Sequence, residues 1–297
     1  GAEAVETAIK TARLWGYLEK GIQEDGAEII VCTNNFHGRT IATVGLSTQE
    51  LYTKNFGPFT PGFKIVPYGD AGALEKAICP ATAAFLIEPI QAEGGIVIPP
   101  EGYLKAAKEI CEKNSVLFMA DEIQTGLGRT GKLFCCDYEG VKPDVMIIGK
   151  SLGGGCYPVS AVLSRRDILG LFTAGTHGST FGANPLACAV ARESIKVLLE
   201  EGMTENAEEQ GIYFLNKLES IKSGHIKNIR GKGLLMGIEL KPEAGGARRF
   251  CEALAEEGLL CKETHGNIIR FAPPLIIKQK ELNGAFKKVK KVLREVE

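Results

Sequence analysis

The chain of 297 residues is poor in features that would commit it to a narrow class. It has four histidines with no metal-ligand spacing, and no two of its cysteines stand in C-x-x-C spacing, so neither a zinc site nor a disulfide framework is read. Its formal net charge is -1, which removes any electrostatic case for nucleic acid or an anionic membrane surface. No uninterrupted apolar run approaches the roughly 20 residues that a membrane-spanning helix needs. Nothing near the start reads as a signal peptide. No G-x-G-x-x-G follows the first apolar run, which weighs against a dinucleotide-binding α/β protein, the competing use for the glycines at 153–155.

What is present fits a globular protein with a core: 44% of residues are hydrophobic and 24% charged. The nine cysteines are odd in number, and several sit inside apolar runs, as Cys32 and Cys188 do. They read as small buried hydrophobes in a reducing compartment, hence a cytoplasmic protein. Gly1-Ala2 runs straight into a helical pattern, which reads as the middle of a fold with further sequence expected upstream.

Helical spacing is read over 2–20, with Ala4, Ala8, Ala12 and Trp15 on one stripe, and over 101–113 and 185–200, the last opened by Asn184-Pro185. Continuous apolar runs at 28–33, Phe63–Pro67, Ala83–Glu88, Val116–Asp121 and Asp144–Gly149 read as buried strands. Buried strands alternating with amphipathic helices predict an α/β fold, a mostly parallel sheet covered on both faces. After Gly202 the pattern changes. Helices at 204–222, 246–257 and 279–295, two strands around Arg230–Glu239, and strands at Leu259–Lys262 and Ile268–Phe271 predict a smaller α+β domain. The expected division is therefore 1–202 and 203–297.

Ligands of open α/β sheets bind at the carboxyl ends of the strands. Three such ends carry chemistry: Glu88 to Gly95, Asp121 to Gly126, and Lys150 followed by Ser151-Leu152-Gly153-Gly154-Gly155. A lysine ending a buried strand is expected to be partly desolvated, which lowers its pKa and lets it hold an aldehyde as a Schiff base. A solvated lysine beside a flexible loop is the plainer reading. Asp121, ending Val-Leu-Phe-Met-Ala, needs a polar partner. A protonated ring nitrogen, a metal, a helix cap and a salt bridge all answer that need. Gly1-Ala2 opening a helix offers amides to an anion, and Ser179 and Thr180 offer hydroxyls. Phe36 suits stacking on a flat ring or packing in a core. Arg39 suits a carboxylate clamp or a surface salt bridge. Arg270, flanked by apolar residues, needs an anion, either a protein carboxylate such as Glu93 or a substrate.

Seven segments occur together and in order. They are Gly-Ala-Glu-Ala-Val-Glu at 1–6, Phe-His-Gly-Arg-Thr at 36–40 and Glu-Pro-Ile-Gln at 88–91, then Asp-Glu-Ile-Gln-Thr-Gly-Leu-Gly-Arg-Thr-Gly at 121–131. Gly-Lys-Ser-Leu-Gly-Gly-Gly at 149–155, His-Gly-Ser-Thr-Phe-Gly at 177–182 and Arg-Gly-Lys-Gly-Leu at 230–234 complete the set. The combination resembles the class-III aminotransferases of pyridoxal-phosphate fold type I over essentially the whole chain, with the N-terminal part of the family fold missing.

The resemblance implies pyridoxal 5'-phosphate bound through Lys150, with Asp121 paired to its ring nitrogen. Gln124 would contact the phenolic oxygen, and Ile123 and Phe36 would sandwich the ring, with His37 and Glu88 in the same cofactor-binding set. Gly1, Ala2 and Thr180 would hold the phosphate, with Ser179 and Thr180 offered by the partner of a homodimer whose active site is shared. Arg39 would bind the substrate carboxylate. Glu93 would mask Arg270 until a 2-oxo acid arrives. Markers at 57–63, 66–70, 157–161 and 262–275 lean towards members that act on the δ-amino group of ornithine, giving glutamate semialdehyde and glutamate. N-acetylornithine, 4-aminobutyrate or lysine would be the alternative donors, and an inactive dimerisation scaffold the non-enzyme alternative. Three departures stand out from the family pattern: Gln91-Ala92-Glu93-Gly94-Gly95 for Gln-Gly-Glu-Ala-Gly, Ser151 for alanine, and Ala183 for glycine.

Overall fold

The computed structural model describes residues 1–295. Its contacts divide into two compact units. The first comprises Gly1–Pro89, Pro99–Gly126 and Cys136–Val197; the second comprises Ile90–Ile98, Leu127–Cys135 and the chain from Leu198 onward. The expected single division after residue 202 did not include the two excursions at 90–98 and 127–135.

The first unit is built on six strands: β1 (Glu28–Cys32), β2 (Phe63–Val66), β3 (Thr82–Ile87), β4 (Leu117–Asp121), β5 (Val145–Ile148) and β6 (Ala161–Ser164). Their order is β2-β1-β3-β4-β5-β6. All pairings are parallel except β5 with β6. Every residue of β3 and β4 is buried, because helices cover both faces and leave no polar side to alternate with. Along β1 the two faces separate residue by residue. Ile29 and Val31 pack with Val5, Ala8 and Ala12 of the helix Ala2–Leu18, whereas Ile30 and Cys32 join Leu74, Leu104 and Ala107 on the opposite face. The helix stripe read from the sequence is thus the buried one, with Trp15 partly buried beside it. Phe85 and Phe118, neighbours on β3 and β4, meet edge to face at 6.1 Å and are fully buried. Each contributes on the order of 1.5–3 kcal/mol through burial.

The strand order reverses between β1 and β3: the chain steps to β2 on one side, then returns to build outward on the other. A crevice opens at such a point beyond the carboxyl ends of the strands. The residues following β1 and β3, up to His37 and at Glu88, therefore lie beside that opening.

The second unit holds an antiparallel sheet of β7 (Ile226–Lys232), β8 (Leu235–Leu240), β9 (Lys262–Thr264) and β10 (Ile268–Phe271), in the order β7-β8-β10-β9. Helices Met203–Glu219, Arg248–Glu256 and Gln279–Glu295 supply Phe214, Phe250, Leu254, Val289 and Leu293 to a core with Met236, Ile238, Ile269 and Phe271. The Arg-Gly-Lys-Gly-Leu motif has a steric reason. Gly233 has φ +53°, and a Cβ there would lie 2.3 Å from the carbonyl carbon of Thr130, so only glycine allows that close approach.

The structure departs from the sequence expectations at several points. The strand expected at Leu259–Lys262 runs instead over Lys262–Thr264. Leu259 belongs to the exit of helix Arg248–Glu256, its N–H donating to the Leu254 carbonyl, and Leu260 is 87% exposed. The edge strand β6 and the helix Ala71–Ala77, started by the Asp70 carboxylate accepting from the Ala73 N–H at 2.8 Å, were not anticipated. Cys188, read as buried, is exposed on helix Pro185–Glu200, as is its neighbour Leu186. Lys150 is likewise exposed. Among the described residues no helix is long and apolar enough to cross a membrane.

Candidate active site

The parallel strands of the first unit end on one rim, and the side chains that follow them define the site. Asp121 is the last residue of β4 and only 4% exposed. Its Oδ1 accepts from the Ile123 N–H at 3.1 Å, and its Oδ2 lies 2.7 Å from Nδ1 of His37. A carboxylate can only accept, so Nδ1 carries the proton and donates. His37 is buried, and its Nε2 has no hydrogen-bond partner. Burial alone lowers the pKa of an imidazole. Here the hydrogen bond and charge of Asp121, with the charge of Glu88, outweigh it, so the pKa of His37 is raised. Glu88, also buried, accepts from the Phe36 N–H at 2.9 Å and so fixes the segment that presents Phe36 and His37. Gly38 has φ +138°, and a Cβ there would fall within 3.0 Å of both Thr43 Oγ1 and the Ala2 methyl. The segment can pass so close to the start of helix Ala2–Leu18 only because residue 38 is glycine.

Lys150 follows β5 with φ +45°, in the left-handed region that a lysine seldom occupies. Strained backbone of this kind clusters at functional sites. The residue is exposed, where the sequence predicted a partly buried one. It lines a cleft of about 450 Å³ with Gly1, Ala2, Glu3, Pro158 to Ser160 and Phe181 to Asn184. That volume lies within the few hundred cubic ångströms usual for small-molecule sites. Ile123 packs against the backbone of both Gly1 and Gly149; a Cβ on Gly1 would sit 3.0 Å from its Cδ1. Gln124 is half-buried on the same turn.

Several expected residues are therefore brought together: Lys150, Gly1 and Ala2 in one cleft, Ile123 against Gly1, and Asp121, His37, Glu88 and the Phe36 amide in one hydrogen-bonded set. Ser179 and Thr180 do not line the Lys150 cleft. Ser179 Oγ donates to Glu3 at 3.1 Å, and Thr180 is exposed. Arg39 is exposed, with its guanidinium 4.1 Å from the Tyr52 ring and 5.5 Å from Phe36. Ser160 and Asn184 appeared in the sequence only within a family marker and a helix start, and Tyr52 was not singled out; the Lys150 cleft and the stacking on Arg39 bring them to the site.

In the second unit Arg270 of β10 pairs with Glu93, Nη1 to Oε1, at 2.7 Å. Both side chains are largely buried. Lys262 of β9 meets the other oxygen, Nζ to Oε2, at 2.8 Å. The Glu93 carbonyl accepts from Thr264 Oγ1 at 2.6 Å, and Arg230 donates to the carbonyls of Gly95 and Ile96. Burial alone would raise the pKa of Glu93, but the two cations outweigh it and hold it below the usual carboxylate value.

A parallel sheet ending in a lysine beside helix-terminal amides, with a buried carboxylate at the next strand end, is the arrangement of a transferase that holds an aldehyde cofactor. The sequence matches the family described as aminotransferase class-III over residues 1–293, and the chain belongs to that family. Curated relatives include the ornithine aminotransferase of Geobacillus sp. (strain WCH70), 58% identical over 296 residues that cover 100% of this chain and 74% of that protein. A solved structure of the ornithine aminotransferase from Toxoplasma gondii ME49 superposes with a TM-score of 0.97 at 47% identity, covering 99% of this chain and 70% of that one. A second structure of the Toxoplasma gondii enzyme, with a TM-score of 0.96 at 46% identity, covers 100% of this chain and 71% of that one; it is described as having partial occupancy of PLP at its active site.

Proposed function

We propose that the chain catalyses transfer of the δ-amino group of L-ornithine to 2-oxoglutarate, giving glutamate semialdehyde and glutamate, with pyridoxal 5'-phosphate as cofactor. The relatives at 58% identity that carry this name support the reaction. The structural observation that carries the reading is the largely buried Arg270–Glu93 pair, a cation neutralised by a protein carboxylate.

The residues present fit the cofactor. Asp121 is a buried carboxylate whose orientation is set by His37 and the Ile123 N–H, so an oxygen can face a protonated ring nitrogen. Gly1 and Ala2 share a cleft with Lys150, so their helix-terminal amides suit a phosphate. When bound, the cofactor supplies an electron sink for the carbon that bears the substrate amine. Lys150 would hold the cofactor's aldehyde carbon through Nζ, then carry the proton at the substrate carbon. Gln124 would donate to the phenolic oxygen. Ile123 and Phe36 would fix the ring plane, with Glu88 holding the Phe36 backbone. Arg39, already seated on Tyr52, would clamp the carboxylate of ornithine.

Ornithine must present a terminal amine and glutamate an α-amine. Glu93 would cover Arg270 in the first case and yield it to a carboxylate in the second. The same reading includes a cytoplasmic homodimer in which Ser179 and Thr180 serve the partner's phosphate. It also includes a large cofactor-binding domain and a small one, expected at 1–202 and 203–297, with 90–98 and 127–135 counted to the latter. Absorbance of the holoprotein tests the substrate. The visible cofactor band bleaches with L-ornithine and not with N-acetylornithine if the reading holds, and the reverse response moves the substrate.

A further inference from the structure

We propose that Lys262 is a positioning residue that retains Glu93 while Arg270 is released, and so sets how readily the enzyme accepts a 2-oxo acid. The inference rests on the Arg270 role given above and adds a residue to it.

The register brings the problem into view. Lys262 and Arg270 are directly opposed in the β9–β10 pair. Like charges in that position repel and destabilise a sheet unless an anion lies between them. Glu93 is that anion, and it divides its oxygens: Oε1 to Arg270 and Oε2 to Lys262. Its side chain is 11% exposed, so it cannot be left without a cation cheaply. Without Lys262, freeing Arg270 would strand a largely buried carboxylate. With Lys262, Glu93 stays neutralised, and the repulsion between the two cations itself favours departure of Arg270. Arg230 holds the backbone of Gly95 and Ile96, and Thr264 holds the Glu93 carbonyl, so the carboxylate keeps its place while its partner changes. Lys262 is 56% exposed, which lets its ammonium stay on Glu93 without a desolvation cost of its own.

The test uses the holoenzyme, with the donor and acceptor half-reactions followed separately by cofactor absorbance. Lys262→Met is expected to weaken apparent affinity for 2-oxoglutarate about threefold to fivefold more than for ornithine, the scale of a partly exposed ion pair. Lys262→Arg is expected to restore the balance. Glu93→Gln is expected to move it the opposite way, favouring the 2-oxo acid and penalising ornithine. Equal losses in both half-reactions for Lys262→Met, or a gain for the acceptor, would overturn the proposal for Lys262. A Glu93→Gln enzyme with an unaltered balance would instead remove the Arg270 role beneath it.

Discussion

Replacing His37 by phenylalanine probes how the buried carboxylate of the site is held. The imidazole is fully buried, and its Nδ1–H is one of two donors to Asp121, the other being the Ile123 N–H. Removing one partner of a buried charged pair costs about 3–5 kcal/mol when the charge is left bare. The surviving amide bond and the loss of the unpartnered Nε2 both reduce that figure, to about 2–4 kcal/mol. The single tryptophan, Trp15, packs on the core of the first unit, so its fluorescence during urea unfolding reports that unit alone. A double-mutant cycle with Asp121→Asn isolates the pair, with a coupling of about 2 kcal/mol expected. The pH dependence has a definite sign. The folded pKa of His37 is raised, so its contribution is fully present below the ordinary value of 6.5 and declines as pH rises through the folded value. The cost of His37→Phe should therefore be largest in mild acid. A loss below about 1 kcal/mol at every pH, or strict additivity with Asp121→Asn, would refute the argument.

Two backbone predictions follow from positive φ. Gly233→Ala places a methyl 2.3 Å from a backbone carbonyl carbon that cannot yield, and should destabilise the second unit by about 2–5 kcal/mol in thermal unfolding. A cost under about 1 kcal/mol would mean the hairpin can lift off Thr130. Ala183, at φ +54°, stands where the family pattern named from the resemblance has glycine; Ala183→Gly should gain about 0.5–1 kcal/mol, and a loss would show that the loop is not strained there.

The parts of this fold that were legible were those written in local chemistry. β1, β3 and β4 are largely apolar runs, and Glu88 and Asp121 mark where β3 and β4 end, because burying a carboxylate further in is costly. β6 was not legible: Ala161–Ser164 is a half-buried edge strand whose composition resembles a loop. Leu259-Leu260 misled for the opposite reason, as apolar residues at a helix exit that do not enter the sheet. The Glu93–Arg270 contact could be anticipated because a buried arginine demands an anion. Lys262 as the third member could not, since its place opposite Arg270 depends on strand register and not on any spacing in the chain. The His37–Asp121 bond joins residues 84 apart in sequence, and its geometry follows only from β1 and β4 flanking β3. The environment of Lys150 was overdrawn: ending a buried strand did not bury the side chain.

The central claim is that Lys150 holds the cofactor, and borohydride reduction of the holoprotein followed by peptide mapping tests it directly. The account expects the pyridoxyl group on Lys150 alone, and a Lys150→Ala protein that neither retains it nor turns over. A label on another lysine, or a Lys150→Ala protein that still transaminates, would contradict it.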